Sequence, residues 1–381
     1  MSRPFFIFFR NAIDKGILLV IGTILALFMS NSSLSEQYYS IIHSSISLNI
    51  FSNTFSLPLH LVVNDFLMSI FFLAVGIEIK QELINGHLSK RSQRVLPIFC
   101  AVFGVITPCI IYIYINNKYP QNMIGWAIPT ATDIAFTIAV ISMFSSKIPQ
   151  SIKVFVTALA IIDDLIAIIA IAIFYTATLN IAYIFGIILC IILLCWINNR
   201  GVIILKPYII LGIVMFSIFI FSGVHSTVSG VVLGFCLPLT SGAKVLKFIN
   251  KFVLYFIMPI FAFFNSGLSL YGFTIDNLYS PVTIGIFLGL FIGKQVGIFG
   301  SFYILVKSKI ASIPDNAKFK DVYIAAVLCG IGFTMSIFVA SLAFAQDTNE
   351  LLFAKVGILL GSFTSALFGI ALLVPQKKVR I

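Results

Sequence analysis

The sequence predicts an all-α membrane protein of about twelve transmembrane helices, arranged as inverted-topology repeats that each contain a broken helix. The chain of 381 residues is 60% hydrophobic and only 10% charged, with a mean hydropathy of +1.10. Soluble domains carry about 25% charged residues, so this composition is that of a polytopic membrane protein. Apolar windows recur along the whole chain, and two of them are interrupted by proline or glycine motifs.

Hydropathy windows place the twelve spans, because a helix needs about 20 apolar residues to cross a bilayer. The first window follows a charged N-terminal segment that does not resemble a cleaved signal peptide. The windows lie near residues 12–30, 59–85, 95–116, 121–143, 150–175, 181–199, 202–221, 223–236, 247–271, 281–306, 321–345 and 351–375.

Basic residues set the expected orientation of these spans. With the N-terminus in the cytoplasm, Lys118 and Lys355 fall in outer loops and Lys294 lies inside a span. All the others of the 24 Lys and Arg residues then lie on the cytoplasmic side, as the positive-inside rule requires. We therefore expect both termini in the cytoplasm. The net charge of +11 is explained by topology, and no nucleic-acid partner is expected.

The longest outer loop, residues 31–58, carries a weak strand signal. Ile46, Leu48 and Ile50 alternate with polar residues, and a polar pair at 52–53 precedes a second short run. Such alternation is typical of a β-hairpin. The sequence fits an irregular loop about as well.

Acidic residues inside the predicted spans are the strongest functional signal. Five acids fall within spans and not near span ends or in loops, namely Asp65, Glu78, Asp133, Asp163 and Asp164, and the base Lys294 joins them. An ionised Asp at a helix centre costs roughly 2.5–3.5 kcal/mol, so such residues point to function. Asp163 and Asp164 are adjacent and project about 100° apart. Each can hold a proton or share a hard cation such as sodium, which prefers oxygen ligands.

The stretch PTATD, Pro129 to Asp133, interrupts the fourth span. Proline cannot continue a hydrogen-bonded helix. Thr130 and Thr132 can satisfy the freed backbone groups, and Asp133 suits the positive end of a half-helix. Taken alone, the motif also fits a simple proline kink.

The stretch CGIGFT, Cys329 to Thr334, interrupts the eleventh span, where two glycines allow a second break. With these two interruptions, residues 95–175 and 281–375 form two groups of three spans each. The two groups enter the membrane from opposite sides. Each group has a broken middle member. Paired interruptions of this kind indicate inverted repeats and a transporter binding site.

The remaining motifs add no cofactor. Six cysteines lie in or beside apolar segments without metal-ligand spacing and are expected to be small core residues: Cys100, Cys109, Cys190, Cys195, Cys236 and Cys329. The sequence has no nucleotide-binding loop, so we expect transport driven by an ion gradient, with no nucleotide as partner.

Over nearly its whole length the chain resembles the bacterial NhaA-type sodium/proton antiporters, an inverted-repeat family. The matching blocks are FFLAVGIEIKQEL (Phe71–Leu83), PTATDIAF (Pro129–Phe136), ALAIIDDL (Ala158–Leu165), SGVHSTVSG (Ser222–Gly230), FAFFNSG (Phe261–Gly267), GKQVG (Gly293–Gly297) and LCGIGFTMSIF (Leu328–Phe338). The resemblance implies two broken helices that cross. It also implies a transporter, not an enzyme, that expels sodium or lithium in exchange for protons, electrogenically and under pH control.

The resemblance also assigns roles to individual residues. Asp163 and Asp164 match the pair that alternately binds the cation and protons, and Asp133 and Thr132 match the site at the crossing. Lys294 matches an intramembrane lysine that pairs with Asp163 and, with Asp133, offsets the charges of the half-helix ends. His225, Glu78 and Glu82 match positions linked to pH response. Asp65 matches a further intramembrane acid.

The resemblance further implies a homodimer, formed through a hairpin of the first outer loop, in the bacterial inner membrane. The chain departs from the family at the inner approach to the ninth span. Lys244, Lys247 and Lys251 lie there in a segment without an acid, whereas the family has an acidic residue of its pH-sensing region. This departure concerns the pH set-point and leaves the transport chemistry unchanged.

Other function classes fit the residues less well. An intramembrane aspartyl protease needs its two catalytic Asp residues on separate facing helices, in Tyr-Asp and Gly-x-Gly-Asp settings that the sequence lacks. A channel needs a continuous pore and has no need of a titratable pair. A proton-coupled carrier of organic solutes is disfavoured by the lack of an intramembrane Arg or aromatic cage. An exchanger that prefers potassium remains open at the level of sequence.

Overall fold

The computed structural model describes residues 3–50, 53–86, 91–176, 179–271 and 274–376. In chain order its helices span Arg3–Ser30, Ser35–Ile42, Leu59–Ile84, Arg91–Asn116, Pro120–Thr130, Ile134–Met143, Gln150–Phe174, Ile181–Asn199, Lys206–Ser222, Val228–Cys236, Leu239–Asn265, Ile275–Leu278, Pro281–Lys307, Phe319–Leu328, Phe333–Ala343 and Thr348–Leu373. A two-stranded antiparallel sheet pairs Ser45–Ile50 with Asn53–Pro58.

The predicted helical membrane architecture is confirmed, but the number of twelve spans is not. Among the described residues, 7 helices are long and apolar enough to cross a membrane, or up to 10 if each bent pair is one span. The helix Val228–Cys236 has only 9 residues, too few to cross a bilayer alone. Residues 1–2 and 377–381, the termini predicted to be cytoplasmic, lie outside the described part of the chain.

The chain divides into two compact units. The first contains the described residues within 1–20, 85–167 and 270–381, and the second those within 21–84 and 168–269. Most of the two predicted three-span groups, residues 95–175 and 281–375, lies in the first unit. The hairpin lies in the second.

A glycine stripe brings two helices of the first unit into backbone contact. Pro281–Lys307 carries glycines at every fourth position, Gly285, Gly289, Gly293 and Gly297. A Cβ atom added at Gly293 would lie 2.8 Å from the Cα of Pro108 on the helix Arg91–Asn116. Small residues at this spacing allow close helix packing in membranes. The stripe therefore fixes the position of this helix, which also carries Lys294.

The second unit uses the same device. On the short helix Val228–Cys236, a Cβ atom added at Gly234 would lie 2.8 Å from the backbone nitrogen of Ile77. Ile77 belongs to the helix Leu59–Ile84, and the two helices pack side by side. The Ser69 hydroxyl donates to the Ser226 carbonyl, at 3.3 Å, so the segment before Val228 also lies against the helix Leu59–Ile84.

The cysteines correct one sequence-based expectation. Cys100, Cys190, Cys236 and Cys329 are buried, as expected of core residues, but Cys195 is exposed on the helix Ile181–Asn199. A small apolar thiol is compatible with contact to lipid as well as with burial inside the protein. Composition alone therefore could not predict which of these two environments Cys195 has.

Candidate functional site

The first broken pair consists of the 3-10 helix Pro120–Thr130 and the α-helix Ile134–Met143, bent by 40°. The Thr130 hydroxyl donates a hydrogen bond to the Ala127 carbonyl, at 2.8 Å. Asp133 precedes the second half, and its Oδ1 accepts a hydrogen bond from the backbone N–H of Phe136, at 2.9 Å. The break thus uses the short polar side chains that the PTATD motif supplies.

The second broken pair consists of Phe319–Leu328 and Phe333–Ala343, bent by 42°. The backbone N–H of Phe333 donates to the Ser362 hydroxyl, at 3.1 Å. A Cβ atom at Gly330 would lie 2.5 Å from the carbonyl oxygen of Leu290. Glycine is therefore required here for close approach to the neighbouring helix.

The two breaks contact each other directly. The backbone N–H of Asp133 donates to the carbonyl of Ile331, at 2.7 Å. The Thr132 hydroxyl lies 2.9 Å from the carbonyl oxygen of Cys329. The Ser336 hydroxyl donates to the Ile128 carbonyl, at 2.8 Å. Backbone groups that each break leaves unpaired are thus satisfied by the other, which a membrane interior requires.

Asp133 lies at the start of two half-helices. Besides its bond from Phe136, its Oδ2 accepts the backbone N–H of Thr334 at 3.2 Å and the Thr334 hydroxyl at 2.5 Å. Its side chain is completely buried. Helix N-terminal ends carry partial positive charge, so this carboxylate sits where negative charge is stabilised by both half-helices.

Asp163 and Lys294 form a buried ion pair. Lys294 Nζ lies 2.5 Å from Asp163 Oδ2, and both side chains are 0% exposed. The Thr132 hydroxyl lies 2.7 Å from the same Oδ2. Asp163 Oδ1 has no hydrogen-bond partner within the described part of the chain. Asp164 follows on the same helix, Gln150–Phe174, and is equally buried, at 1% exposure.

Thr132 therefore links two groups through one hydroxyl. A threonine hydroxyl has one proton to donate and two lone pairs to accept with. Its neighbours are the Asp163 carboxylate and the Cys329 carbonyl. Together with the second oxygen of Asp163, these atoms are the oxygen ligands that hard cations prefer.

Lys294 lies between two π-helical turns, Gly289–Gly293 and Gln295–Phe299. Such turns are rare, and they are frequent at functional sites. The widened turns and the glycine stripe together bring the long Lys294 side chain of Pro281–Lys307 to Asp163. The lysine stem is fully buried, which requires that its charge be compensated inside the protein.

A second cluster forms within the second unit. His225 Nε2 lies 3.3 Å from Asp65 Oδ1. The Ser226 hydroxyl donates to the same oxygen, at 3.0 Å. The other ring nitrogen of His225, Nδ1, lies 2.8 Å from the Thr227 hydroxyl oxygen. Asp65 itself lies on a π-helical turn, Val62–Leu67. The structure thus joins a pH-response candidate to the further acid.

Glu78 and Glu82 lie one turn apart on the helix Leu59–Ile84, and both are half-buried. Between them, Lys80 Nζ donates to the carbonyls of Phe235 at 2.7 Å and Leu237 at 2.5 Å. These carbonyls lie at the C-terminal end of Val228–Cys236, where a cation is stabilised by the helix dipole.

Sequence reasoning missed the hydroxyl residues that support these acids. Thr334 donates to Asp133, Ser362 holds the second break and Ser226 donates to Asp65. Thr334 could have been found, because it follows the second break as Asp133 follows the first. Ser226 is adjacent to His225, but nothing in the sequence connects either residue to Asp65.

The chain is similar to known proteins over nearly its whole length. The family described as Na+/H+ antiporter 1 matches residues 7–373. A Pseudomonas putida protein named Na(+)/H(+) antiporter NhaA 1 is 44% identical over 372 residues, covering 96% of this chain and 94% of that protein. Na(+)/H(+) antiporter NhaA of Pelagibacter ubique is 42% identical, covering 99% of both chains. The Yersinia enterocolitica protein of the same name is 43% identical, covering 97% of both.

Proposed function

The chain belongs to the Na+/H+ antiporter 1 family, and we propose that it expels sodium or lithium from the bacterial cell in exchange for protons. The relatives named above are bacterial antiporters, and the apolar helices fit a multi-pass protein of the inner membrane. One observation carries the proposal. Asp163 and its neighbour Asp164 are each 1% exposed, and Asp163 contacts Thr132 at the break of the first broken pair.

In this proposal Asp163 and Asp164 alternately hold the cation and protons. Burying a charged carboxylate is unfavourable unless it is compensated, so a cation or a proton must neutralise the pair in each state. Further oxygen ligands come from the Thr132 hydroxyl and from Asp163 Oδ1, which has no hydrogen-bond partner among the described residues. This arrangement favours a small hard cation.

Lys294 competes with the transported cation for Asp163. The ammonium group already contacts Oδ2 at 2.5 Å. When sodium binds Asp163, Lys294 must release this oxygen. When sodium leaves, the ion pair forms again and keeps the carboxylate compensated. Asp133 also offsets the partial positive charge at the N-terminal ends of the half-helices. Lys294 offsets the partial negative charge at their C-terminal ends.

Electrogenic exchange follows from the same competition. In the sodium-free state one proton is held by Asp164 and a second by the Lys294 ammonium in its ion pair with Asp163. Sodium binding to the two carboxylates displaces both, so more than one proton is released per sodium. Inward proton flow and the membrane voltage would then both drive sodium out. The pH response is assigned to His225, Glu78 and Glu82, with Asp65 as the partner of His225.

The architecture proposed for this exchange is an inverted repeat of residues 95–175 and 281–375. Support comes from the nearly equal bends of the two broken pairs, 40° and 42°. Each pair also places a hydroxyl-bearing or acidic side chain directly after its break. A transporter built this way binds its ion near the bilayer midplane.

The working form is proposed to be a homodimer joined through the hairpin Ser45–Ile50 and Asn53–Pro58. A lone two-stranded hairpin is marginally stable in water, and its outer edges offer unpaired backbone groups. In register, Ile46 lies opposite Leu57, and both side chains are exposed.

Exchange can be tested in everted membrane vesicles that hold a proton gradient. Sodium or lithium should collapse the gradient, and potassium should leave it intact. Asp164→Asn keeps the side-chain shape but cannot exchange a proton, so it should abolish the collapse. Asp315→Asn, which changes an exposed acid, is the matched control and should behave as the unmodified protein.

Purified protein in liposomes tests the electrogenic part separately. A sodium gradient should generate a voltage. Exchange that occurs without any voltage would contradict the proposed stoichiometry. Collapse of the vesicle gradient by potassium alone would contradict the proposed cation preference.

A further inference from the structure

Gln295 directly follows Lys294 in the chain, and its side chain joins two elements of the first unit. Its Nε2 donates to the carbonyl of Phe291 on the same helix, at 2.5 Å. Its Oε1 accepts a hydrogen bond from the Tyr323 hydroxyl, at 2.9 Å. Tyr323 belongs to the half-helix Phe319–Leu328 of the second broken pair. The Gln295 amide therefore connects the lysine-bearing helix to one half of that broken pair.

An aromatic contact supports this hydrogen bond. The rings of Phe299 and Tyr323 meet edge to face, with their centroids 5.2 Å apart. Phe299 lies four residues after Gln295, so both side chains are on the same side of the helix. An edge-to-face pair is favourable, and here it holds the ring whose hydroxyl reaches Gln295. The substitution Tyr323→Phe can therefore remove the hydrogen bond and keep the ring contact.

The half-helix that carries the tyrosine ends beside Asp163. The backbone N–H of Cys329 donates to the Ala325 carbonyl, at 2.9 Å, so Cys329 continues this half-helix. The Cys329 carbonyl oxygen lies 2.9 Å from the Thr132 hydroxyl. That hydroxyl lies 2.7 Å from Asp163 Oδ2, the oxygen that Lys294 Nζ also contacts. The end of the half-helix and the lysine thus meet at one carboxylate oxygen.

These contacts close into a ring that contains both the ion pair and the glutamine. Its members are Asp163, Thr132, Cys329, Tyr323, Gln295 and Lys294. The Lys294 side chain is completely buried, and protein interiors are close-packed. Withdrawal of the ammonium group from Asp163 therefore requires a shift of the lysine-bearing helix. The hydrogen bond between Tyr323 and Gln295 opposes that shift, because it ties the helix to the half-helix.

Given the sodium/proton exchange proposed for this chain, we propose that Gln295 and Tyr323 are positioning residues that hold Lys294 against Asp163. Neither residue contacts the transported ion. Their hydrogen bond stabilises the ion pair of the sodium-free state, and so it sets how strongly sodium must compete for the carboxylate. Loss of this bond should loosen the lysine-bearing helix, weaken the ion pair and make Asp163 more available to sodium.

The test is calorimetric titration of the purified full chain with sodium at one fixed pH. The net contribution of a neutral hydrogen bond corresponds to about fivefold in an equilibrium constant. Tyr323→Phe should therefore bind sodium with a Kd about fivefold lower than that of the unmodified chain. In everted vesicles its KM for sodium should fall by a similar factor, while its maximal rate should not rise.

Tyr303→Phe is the matched control. Tyr303 lies on the lysine-bearing helix, and its ring meets Phe319 at the start of the same half-helix, with the centroids 6.1 Å apart. This substitution removes a tyrosine hydroxyl between the same two elements and leaves the Gln295 hydrogen bonds in place. The control should keep the Kd and the KM of the unmodified chain.

A double variant tests whether the two residues act through one bond. Gln295→Met keeps the length of the side chain and loses the amide, so it should also lower the Kd for sodium. Combining it with Tyr323→Phe should bind sodium no more tightly than the tighter of the two single variants, because the shared bond can be lost only once. Tm is measured for every variant to detect unfolding.

Separate outcomes bear on the positioning role and on the exchange itself. Sodium binding by the unmodified chain with an equal or higher Kd in Tyr323→Phe would overturn the positioning role and leave the proposed exchange intact. Fully additive effects in the double variant would contradict action through the shared hydrogen bond. Failure of the unmodified chain to bind sodium would contradict the proposed exchange, and the positioning role with it.

Discussion

The ion pair between Asp163 and Lys294 is closed to water, with Nζ and Oδ2 2.5 Å apart and both side chains fully buried. The desolvation penalty of the two charges offsets much of their mutual attraction. Removing one partner, however, leaves the other charge buried and uncompensated. The pair therefore couples two properties that a mutation could otherwise confuse, transport and stability. Stability has to be measured whenever either residue is changed.

Single and double substitutions separate these effects. Asp163→Asn should destabilise the protein by about 3–5 kcal/mol, because it leaves the Lys294 ammonium buried without its counter-charge. Adding Lys294→Gln should recover most of the lost Tm, because both charges are then gone. Thermal melts of the two variants check this. If the double variant melts no higher than Asp163→Asn, the buried pair does not control stability.

Individual residues were predictable where their type is unusual for their surroundings. Asp133, Asp163 and Lys294 stand out because charged groups are rare inside apolar spans. Thr334 did not stand out, because hydroxyl residues are common in membrane helices and satisfy backbone groups there. The contact between His225 and Asp65 joins residues far apart in sequence, and helix periodicity carries no information on such pairs.

At the scale of elements, the glycine stripe on Pro281–Lys307 determines where Lys294 lies. Sequence analysis identified the glycines of the second break but not this stripe, because glycine is frequent in membrane helices. The structure distinguishes the two kinds of glycine on this helix. Gly293 packs against Pro108, whereas a Cβ atom at Gly300 would meet nothing within 4 Å.

Alanine substitutions on this one helix should therefore have opposite results. Gly293→Ala places a Cβ atom 2.8 Å from the Pro108 Cα, so the helices must separate and Lys294 must move. We expect lower Tm and at least tenfold slower exchange. Gly300→Ala should be neutral, or stabilising by about 0.5–1 kcal/mol, since alanine favours a helix. Equal behaviour of the two variants would show that the stripe does not position Lys294.

At the scale of the whole molecule, hydropathy predicted the membrane class and the order of the helices. It did not establish the number of spans. Length and hydropathy describe each helix alone, whereas Val228–Cys236 depends on packing against Leu59–Ile84. A helix of 9 residues buried by its neighbours can contribute to a membrane fold without matching the bilayer thickness.

The proposed dimer makes a prediction about the exposed pair on the hairpin. Ile46→Ser with Leu57→Ser removes apolar area from the outer face of the two strands, so it should shift the purified protein toward monomers. Light scattering of the detergent-solubilised protein measures this. Ser45→Ala with Ser56→Ala alters the same strands without removing apolar area and should stay dimeric. A double-serine variant that remains fully dimeric would place the dimer contact elsewhere.

In the proposed exchange, sodium and protons compete for Asp163 and Asp164. Calorimetric titration with sodium, repeated in buffers of different ionisation enthalpy, counts the protons released per sodium bound. We predict release of more than one proton per sodium by the unmodified chain, and no sodium binding by Asp164→Asn. Sodium binding without proton release, or unchanged binding by Asp164→Asn, would contradict competition of sodium and protons for these two acids.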